Sequence, residues 1–212
     1  MVGLPVSGVK EYAGFYWPDY DVHCGPAVIK HVGDLEEALS LVGNFDTAIQ
    51  AGGNCGVFPV HLAQHFDMVY TFEPHPDNFY CLNLNTQGID NIVKSQMALG
   101  NGKILGMGIH HVNDNAGAHY MIPDGDVTMI AIDSLNLDNV GLIQLDIEGG
   151  ELGALQGAEN TIKKCWPVIM VEEKGHGQKY YNIEIGAVEK YLFEMGYKRV
   201  KKINRDYIFI KE

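Results

Sequence analysis

From residue 45 onward, short apolar runs alternate with amphipathic segments, and that alternation limits the fold to strands joined by helical crossovers. Phe45–Gln50 reads as a strand that ends in Ala51-Gly52-Gly53-Asn54-Cys55-Gly56. Phe58, Leu62 and Phe66 then recur at four-residue spacing, which predicts a helix with Asn54 as its N-cap. Met68–Phe72 is the next strand, closed by Glu73-Pro74. Pro76 suits the first turn of a helix that carries Phe79, Leu82 and Leu84 and stops at Gly88. Ile92–Leu99 is a third strand.

Further on, Lys103–His111 and Gly117–Ile122 predict a hairpin turned at Asn113-Asp114-Asn115, followed by a strand over Val127–Ile132. Leu142–Ile147 reads as a buried strand, Glu151–Lys163 as a helix and Val168–Val171 as a strand. Ile185, Val188, Leu192 and Met195 mark one face of a helix closed by Gly196. Tyr197–Ile203 and Tyr207–Ile210, around Asn204-Arg205-Asp206, form an antiparallel hairpin. The expected fold is α/β, Rossmann-like and doubly wound, with a mostly parallel sheet covered on both faces and that hairpin at its end. Right-handed crossovers put the loops that follow the strands on one rim, where ligands bind. Residues 1–44 read as an N-terminal extension packed on a domain of residues 45–212, with a short helix over Asp34–Leu41.

The chain carries 15 Lys and Arg against 27 Asp and Glu, a formal charge of −12. Such acidity disfavours nucleic acid and anionic membranes as partners, because their phosphates repel it. A small neutral or cationic ligand fits better. No apolar run approaches the roughly 18 residues that span a bilayer, and Met1–Lys10 lacks the pattern of a secretion signal. Cys24, Cys55, Cys81 and Cys165 stand apart, as expected of a cytoplasmic protein.

Three stretches carry chemistry. In Gln50–Gly56 the glycines let the backbone approach a ligand, and the helix that follows offers unpaired N–H groups. Glu73, 21 residues after Gly52, stands where a carboxylate can accept both hydroxyls of a ribose. Asp146 and Glu148 end a buried strand on the same rim, where carboxylates need partners or a purpose. That rim also receives Glu172, Glu173 and His176, the last in a loop suited to closing over a substrate. No functional metal is expected. In the set His110, His111, Asp114 and His119, adjacent histidines on a strand point to opposite faces and cannot converge without a bulge. Asp146 with Glu172 and His176 is the other set of ligand types.

The order Ile49-Gln-Ala-Gly-Gly-Asn-Cys-Gly56, Phe72-Glu-Pro74, Met97-Ala-Leu99, Ile132-Asp-Ser-Leu135, Gln144-Leu-Asp-Ile-Glu-Gly-Gly-Glu151, Gly157-Ala158 and Pro167-Val-Ile-Met-Val-Glu172 resembles the FkbM-type methyltransferases. The resemblance covers about residues 45–175. It implies a class I fold with a seven-stranded sheet, S-adenosylmethionine as cofactor, and transfer of a methyl group, mostly to a hydroxyl. By that resemblance Gln50, Ala51, Gly52 and Asn54 line the methionine portion of the cofactor. Glu73 and Pro74 lie at the ribose, and Met97 and Ala98 near the adenine. Asp146 and Glu148 face the methyl group and the acceptor, with His176 as a further base candidate. Gln50 departs from the pattern, which has Asp there; an amide still bonds the cofactor's amino end but loses the charge attraction. The expected acceptor is a small molecule, a sugar or other metabolite.

Two other functions compete. A nicotinamide-dependent oxidoreductase on a related fold would prefer Gly-x-Gly-x-x-Gly, and this turn lacks the first glycine. A non-catalytic nucleoside-binding module would keep the fold and lose activity, for which Gln50 is the hint.

Overall fold

The computed structural model describes residues 8–102 and 104–212. Its centre is a seven-stranded sheet built from β3 (Thr47–Ala51), β4 (Met68–Phe72), β5 (Ile92–Ser95), β9 (Val140–Leu145), β10 (Val168–Glu172), β11 (Tyr197–Ile203) and β12 (Asp206–Lys211). The spatial order is β11-β12-β10-β9-β3-β4-β5. The strands from β10 to β5 run parallel, and β12 inserts antiparallel between β10 and β11. The expected doubly wound sheet with a closing hairpin is therefore the fold observed.

Burial explains the arrangement. Every residue of β9 (Val-Gly-Leu-Ile-Gln-Leu) is buried, as a central parallel strand covered on both sides demands. Alternate residues feed two cores: Ile49, Ile143 and Leu145 meet Leu155 and Leu192 on one face, while Ala48, Leu142 and Met170 meet Leu35, Leu62 and Phe66 on the other. The helices that supply these side chains are α2 (Leu35–Leu39) and α3 (Val57–Leu62) on the second face, and α5 (Glu151–Gln156), α6 (Glu159–Cys165) and α8 (Ala187–Glu194) on the first.

The remaining elements are β1 (Val9–Tyr12), β2 (Phe15–Pro18), α1 (Cys24–His31), α4 (Pro76–Asn85), α7 (His176–Tyr181), and a second sheet of β6 (Ala98–Leu99), β7 (Ile104–His110) and β8 (Tyr120–Ile130). The hairpin β1–β2 places Trp17, fully buried, against Cys24, Cys55, Cys81 and Ala116. Asn85 fastens it by accepting the Tyr16 N–H and donating to the Tyr16 carbonyl.

Several expected boundaries move. The strand expected over Ile92–Leu99 splits into β5 and β6, which belong to different sheets. The segments Gly117–Ile122 and Val127–Ile132 merge into β8, whose pairing with β7 slips twice between Ile104 and Gly108. Lys103 lies outside the described residues. The helix expected over Glu151–Lys163 breaks into α5 and α6 at Gly157, whose added Cβ would stand 2.0 Å from the Gly100 carbonyl oxygen.

Strand order reverses between β3 and β9, so the crevice above their C-terminal ends is where a doubly wound sheet binds its ligand. No helix among the described residues is long and apolar enough to cross a membrane.

Candidate active site

The loop after β3 is held by its neighbours. The N–H groups of Gly52 and Gly53 both donate to the Phe72 carbonyl, at 3.1 and 2.9 Å. Gly52 has φ +80°, and a Cβ there would lie 1.9 Å from the Asp146 carbonyl oxygen, so only glycine lets this turn press against the exit of β9. Asn54 is not the N-cap of α3; Gly56 is. The Asn54 side chain is used locally, accepting the Cys55 N–H at 2.7 Å and donating to the Ala116 carbonyl at 3.1 Å.

Glu73 is 5% exposed and stands at the end of β4. One oxygen accepts the Asn54 N–H at 2.7 Å and the other the His75 N–H at 2.8 Å. Burial nevertheless pushes its carboxyl up to about 7, against the pull of those N–H groups and of Asn78. Gln50 is fully buried. Its Oε1 accepts the Thr71 hydroxyl at 2.6 Å and its Nε2 donates to the Gly52 carbonyl at 3.0 Å. The amide thus braces the turn from beneath.

These residues open onto one cavity of about 870 Å³, within the range of small-molecule and cofactor sites. Gln50, Ala51, Gly52, Asn54, Glu73 and Pro74 line one side, and Met97 with Ala98 another. Asp146 and Glu148 line it as well; His176 does not. His176 is the first residue of α7 and pairs with Glu148 through its Nδ1. A helix therefore stands where a closing loop was expected.

Asp146 and Glu148 belong to an ionic cluster whose centre is Lys174. Its Nζ lies 3.8 Å from Asp146 and 3.2 Å from Glu148, and pairs closely with Glu172. Lys174 is 17% exposed, so three carboxylates share one half-hidden cation. Burial and the Asp146 charge raise Glu148, while Lys174 and His176 oppose the rise. Glu172 is pushed well up by burial, by the Asp146 charge and by a hydrogen bond with Asp146. It therefore holds its proton at neutral pH and donates it toward Asp146. The three carboxylates would suit a hard cation, but the lysine ammonium fills that role.

A conserved-domain comparison matches residues 53–199 of this chain to the methyltransferase FkbM domain. The chain belongs to the FkbM methyltransferase family. Among solved structures it resembles the FkbM methyltransferase of Methylobacillus flagellatus KT, at 18% identity and TM-score 0.53, over 77% of this chain and 42% of that one. The chain thus spans less than half the length of that relative. The N-methyltransferase NodS of Bradyrhizobium japonicum WM9 matches at 11% identity and TM-score 0.51, over 89% and 97% of the two chains. A Streptococcus mutans protein solved with S-adenosylhomocysteine matches at 12% identity and TM-score 0.50, over 84% and 94%. No match is found among curated proteins. S-adenosylmethionine is the cofactor of this FkbM domain.

Some residues of this candidate site escape a linear reading. Lys174 is one; its signal is a single lysine directly after Glu172-Glu173 on a rim otherwise acidic. Glu151 is another: buried, it accepts the N–H groups of Ile147 and Gly149 at 3.0 and 3.2 Å and so fixes the loop that carries Glu148. His110 and His111, expected to point apart, do so, and His111 meets His119. β7 ends at His110, whose ring turns onto Tyr120, and His111 in the following loop reaches His119 and His75.

These shifts make stability depend on pH. Glu73, Glu151 and Asp206 are each raised to about 7, chiefly by burial, so each contributes stability at low pH that is lost as pH rises through 7. His75 and His119 are lowered to about 4 and 3 by burial and by neighbouring imidazoles, so their contribution is present above about 6.5 and lost below it. The melting temperature should rise by several degrees from pH 8 to about 6.5 and more gently below it, where the three carboxyls still gain and the two histidines lose. A melting temperature that climbed steadily from pH 6.5 to 8 in thermal scans would contradict these assignments.

Proposed function

We propose that this FkbM domain transfers the methyl group of S-adenosylmethionine to a hydroxyl of a sugar or another small metabolite. The observation that carries the reading is the meeting of the glycine turn, the Glu73 carboxylate and the Asp146–Glu148 pair in one cavity. The fit to the cofactor rests on this chain's own groups. Gly52 brings bare backbone to the cavity wall, and Glu73, fixed by two N–H groups, keeps lone pairs for a ribose diol. Met97 and Ala98 offer an apolar surface for the adenine.

When bound, the sulfonium supplies a methyl group already activated for nucleophilic displacement. The protein must then align the acceptor and exclude water. Asp146, which meets the Glu172 carboxyl by a hydrogen bond and Lys174 at 3.8 Å, takes the hydroxyl proton as the new C–O bond forms and the methyl–sulfur bond breaks. Glu148 and His176 stand behind it as the route by which that proton leaves. The acceptor is a small molecule, since the −12 charge opposes a phosphate backbone.

Calorimetry with S-adenosylhomocysteine tests the binding, and transfer of labelled methyl to a panel of sugars and polyols tests the reaction. Micromolar binding and label on an acceptor oxygen are expected; no binding at millimolar ligand would remove the reading. Glu73→Ala should weaken S-adenosylhomocysteine at least tenfold, about 1.4 kcal/mol. Unchanged affinity in the same titration would move the ribose elsewhere.

A further inference from the structure

Beside the cavity, apart from the carboxylate cluster, three imidazoles from separate parts of the chain come together. His75 immediately precedes α4, His111 follows β7, and His119 immediately precedes β8. One nitrogen from each ring lies within 4.8 Å of the other two. His75 Nε2 stands 3.1 Å from His111 Nδ1. Two nitrogens bound to one tetrahedral zinc lie about 3.3 Å apart, given Zn–N bonds of about 2.0–2.1 Å. This pair already has the spacing of two ligands, and the single proton they share is what an ion would displace.

The third ring stacks on the other two and must turn to bring its in-plane lone pair onto the same ion. His119 stacks 4.0 Å from His75 and 4.7 Å from His111, centroid to centroid. Its Nδ1 accepts the Val112 N–H at 3.0 Å, so its Nε2 carries the ring proton and donates to the Tyr20 hydroxyl at 3.0 Å. A proton on one nitrogen, given to a neighbouring oxygen, leaves the other nitrogen as donor; metal-bound histidines use that outer contact. A cation has one backbone N–H to displace there.

The site is partly sheltered from water. His75 is 6% exposed, and its Nδ1 is buried without a hydrogen-bond partner among the described residues.

We propose that His75, His111 and His119 bind a late first-row divalent cation of the zinc type, with the fourth position open to water. Three imidazoles favour zinc, nickel or copper over magnesium or calcium, which want oxygen ligands. Because the His75 N–H donates to Glu73, such an ion would lock the wall expected to face the ribose to the β7–β8 loop and to the N-terminal segment. The other histidine set, His61 and His65 with Glu36, is already satisfied by a 2.7 Å contact at the surface.

The test uses the full chain stripped of metal. Cobalt(II) is titrated by visible absorption and zinc(II) by calorimetry, with zinc raising the melting temperature through binding to the folded state. One site of micromolar affinity or better is expected, with tetrahedral cobalt bands that zinc abolishes. His111→Ala, at an exposed ring, should weaken zinc at least tenfold and remove the thermal shift, while His61→Ala and His110→Ala bind as the parent does. No heat and no bands up to millimolar metal would overturn the proposal. So would parental affinity in His111→Ala, or loss of binding in His61→Ala.

Discussion

Lys174→Met should lower the unfolding free energy by about 3 kcal/mol at pH 8, the lower end of what breaking a buried ion pair costs. Methionine keeps the length of the side chain and its apolar stem, so the loss is that of a charge. Lys174 Nζ faces Asp146, Glu148 and Glu172, and the oxygens of those three carboxylates lie within 4.8 Å of one another. Glu148 and Glu172 have little contact with water; Asp146 is 36% exposed, and solvent screens its share. Without the ammonium, the folded state holds its negative charge only by taking up protons. The folded-state carboxyls are then raised still further above their unfolded values. Stability gained from a raised carboxyl is present at low pH and is lost as pH rises. The deficit of the variant should therefore shrink between pH 8 and pH 5.5 in urea unfolding experiments. An equal deficit at both values would mean that Lys174 contributes packing alone.

That cluster marks the boundary of what the sequence reveals. Elements stood out where one local pattern decided them. Met68–Phe72 is β4 residue for residue, and the apolar run at Leu142 is β9, because a strand buried on both faces has no polar position to confuse it. The Gly52 turn and Glu73 could be placed because both follow directly from strands. Boundaries failed where distant backbone intervenes. Gly157 breaks a helix whose apolar face runs on, because the Gly100 carbonyl comes too close for a side chain, and Asp133 then caps α6 through the Asn160 and Thr161 N–H groups. Pairings between elements were the least legible. Lys174 meets Glu148 across 26 residues, and His75 meets His111 across 36. Nothing in the spacing of either pair announces contact; the sheet order and the loop beyond β7 create it.

Asp146→Asn should leave S-adenosylhomocysteine affinity within about threefold of the parent and lower the turnover of methyl transfer by about 10²- to 10⁴-fold, the contribution typical of a positioned base. The asparagine keeps the backbone that matters for the fold, namely the Asp146 N–H donating to Ala51 at 3.0 Å and the carbonyl oxygen against Gly52. It cannot accept a proton from an acceptor hydroxyl. The cluster also changes: Glu172 loses the neighbouring charge that raises it and Lys174 one of its carboxylate contacts, so Glu172 falls back toward the usual carboxyl range. The stability effect should be small, because one negative charge leaves a crowded site together with one of its contacts to the lysine. Kinetics then separate two roles. If Asp146 is the base, kcat falls while KM for the acceptor changes little, and raising the pH restores part of the rate by ionising the hydroxyl without help. If Asp146 only orients the acceptor, KM rises and kcat holds. A variant with parental kcat on the acceptor identified by methyl labelling would transfer the base role to Glu148 with its partner His176.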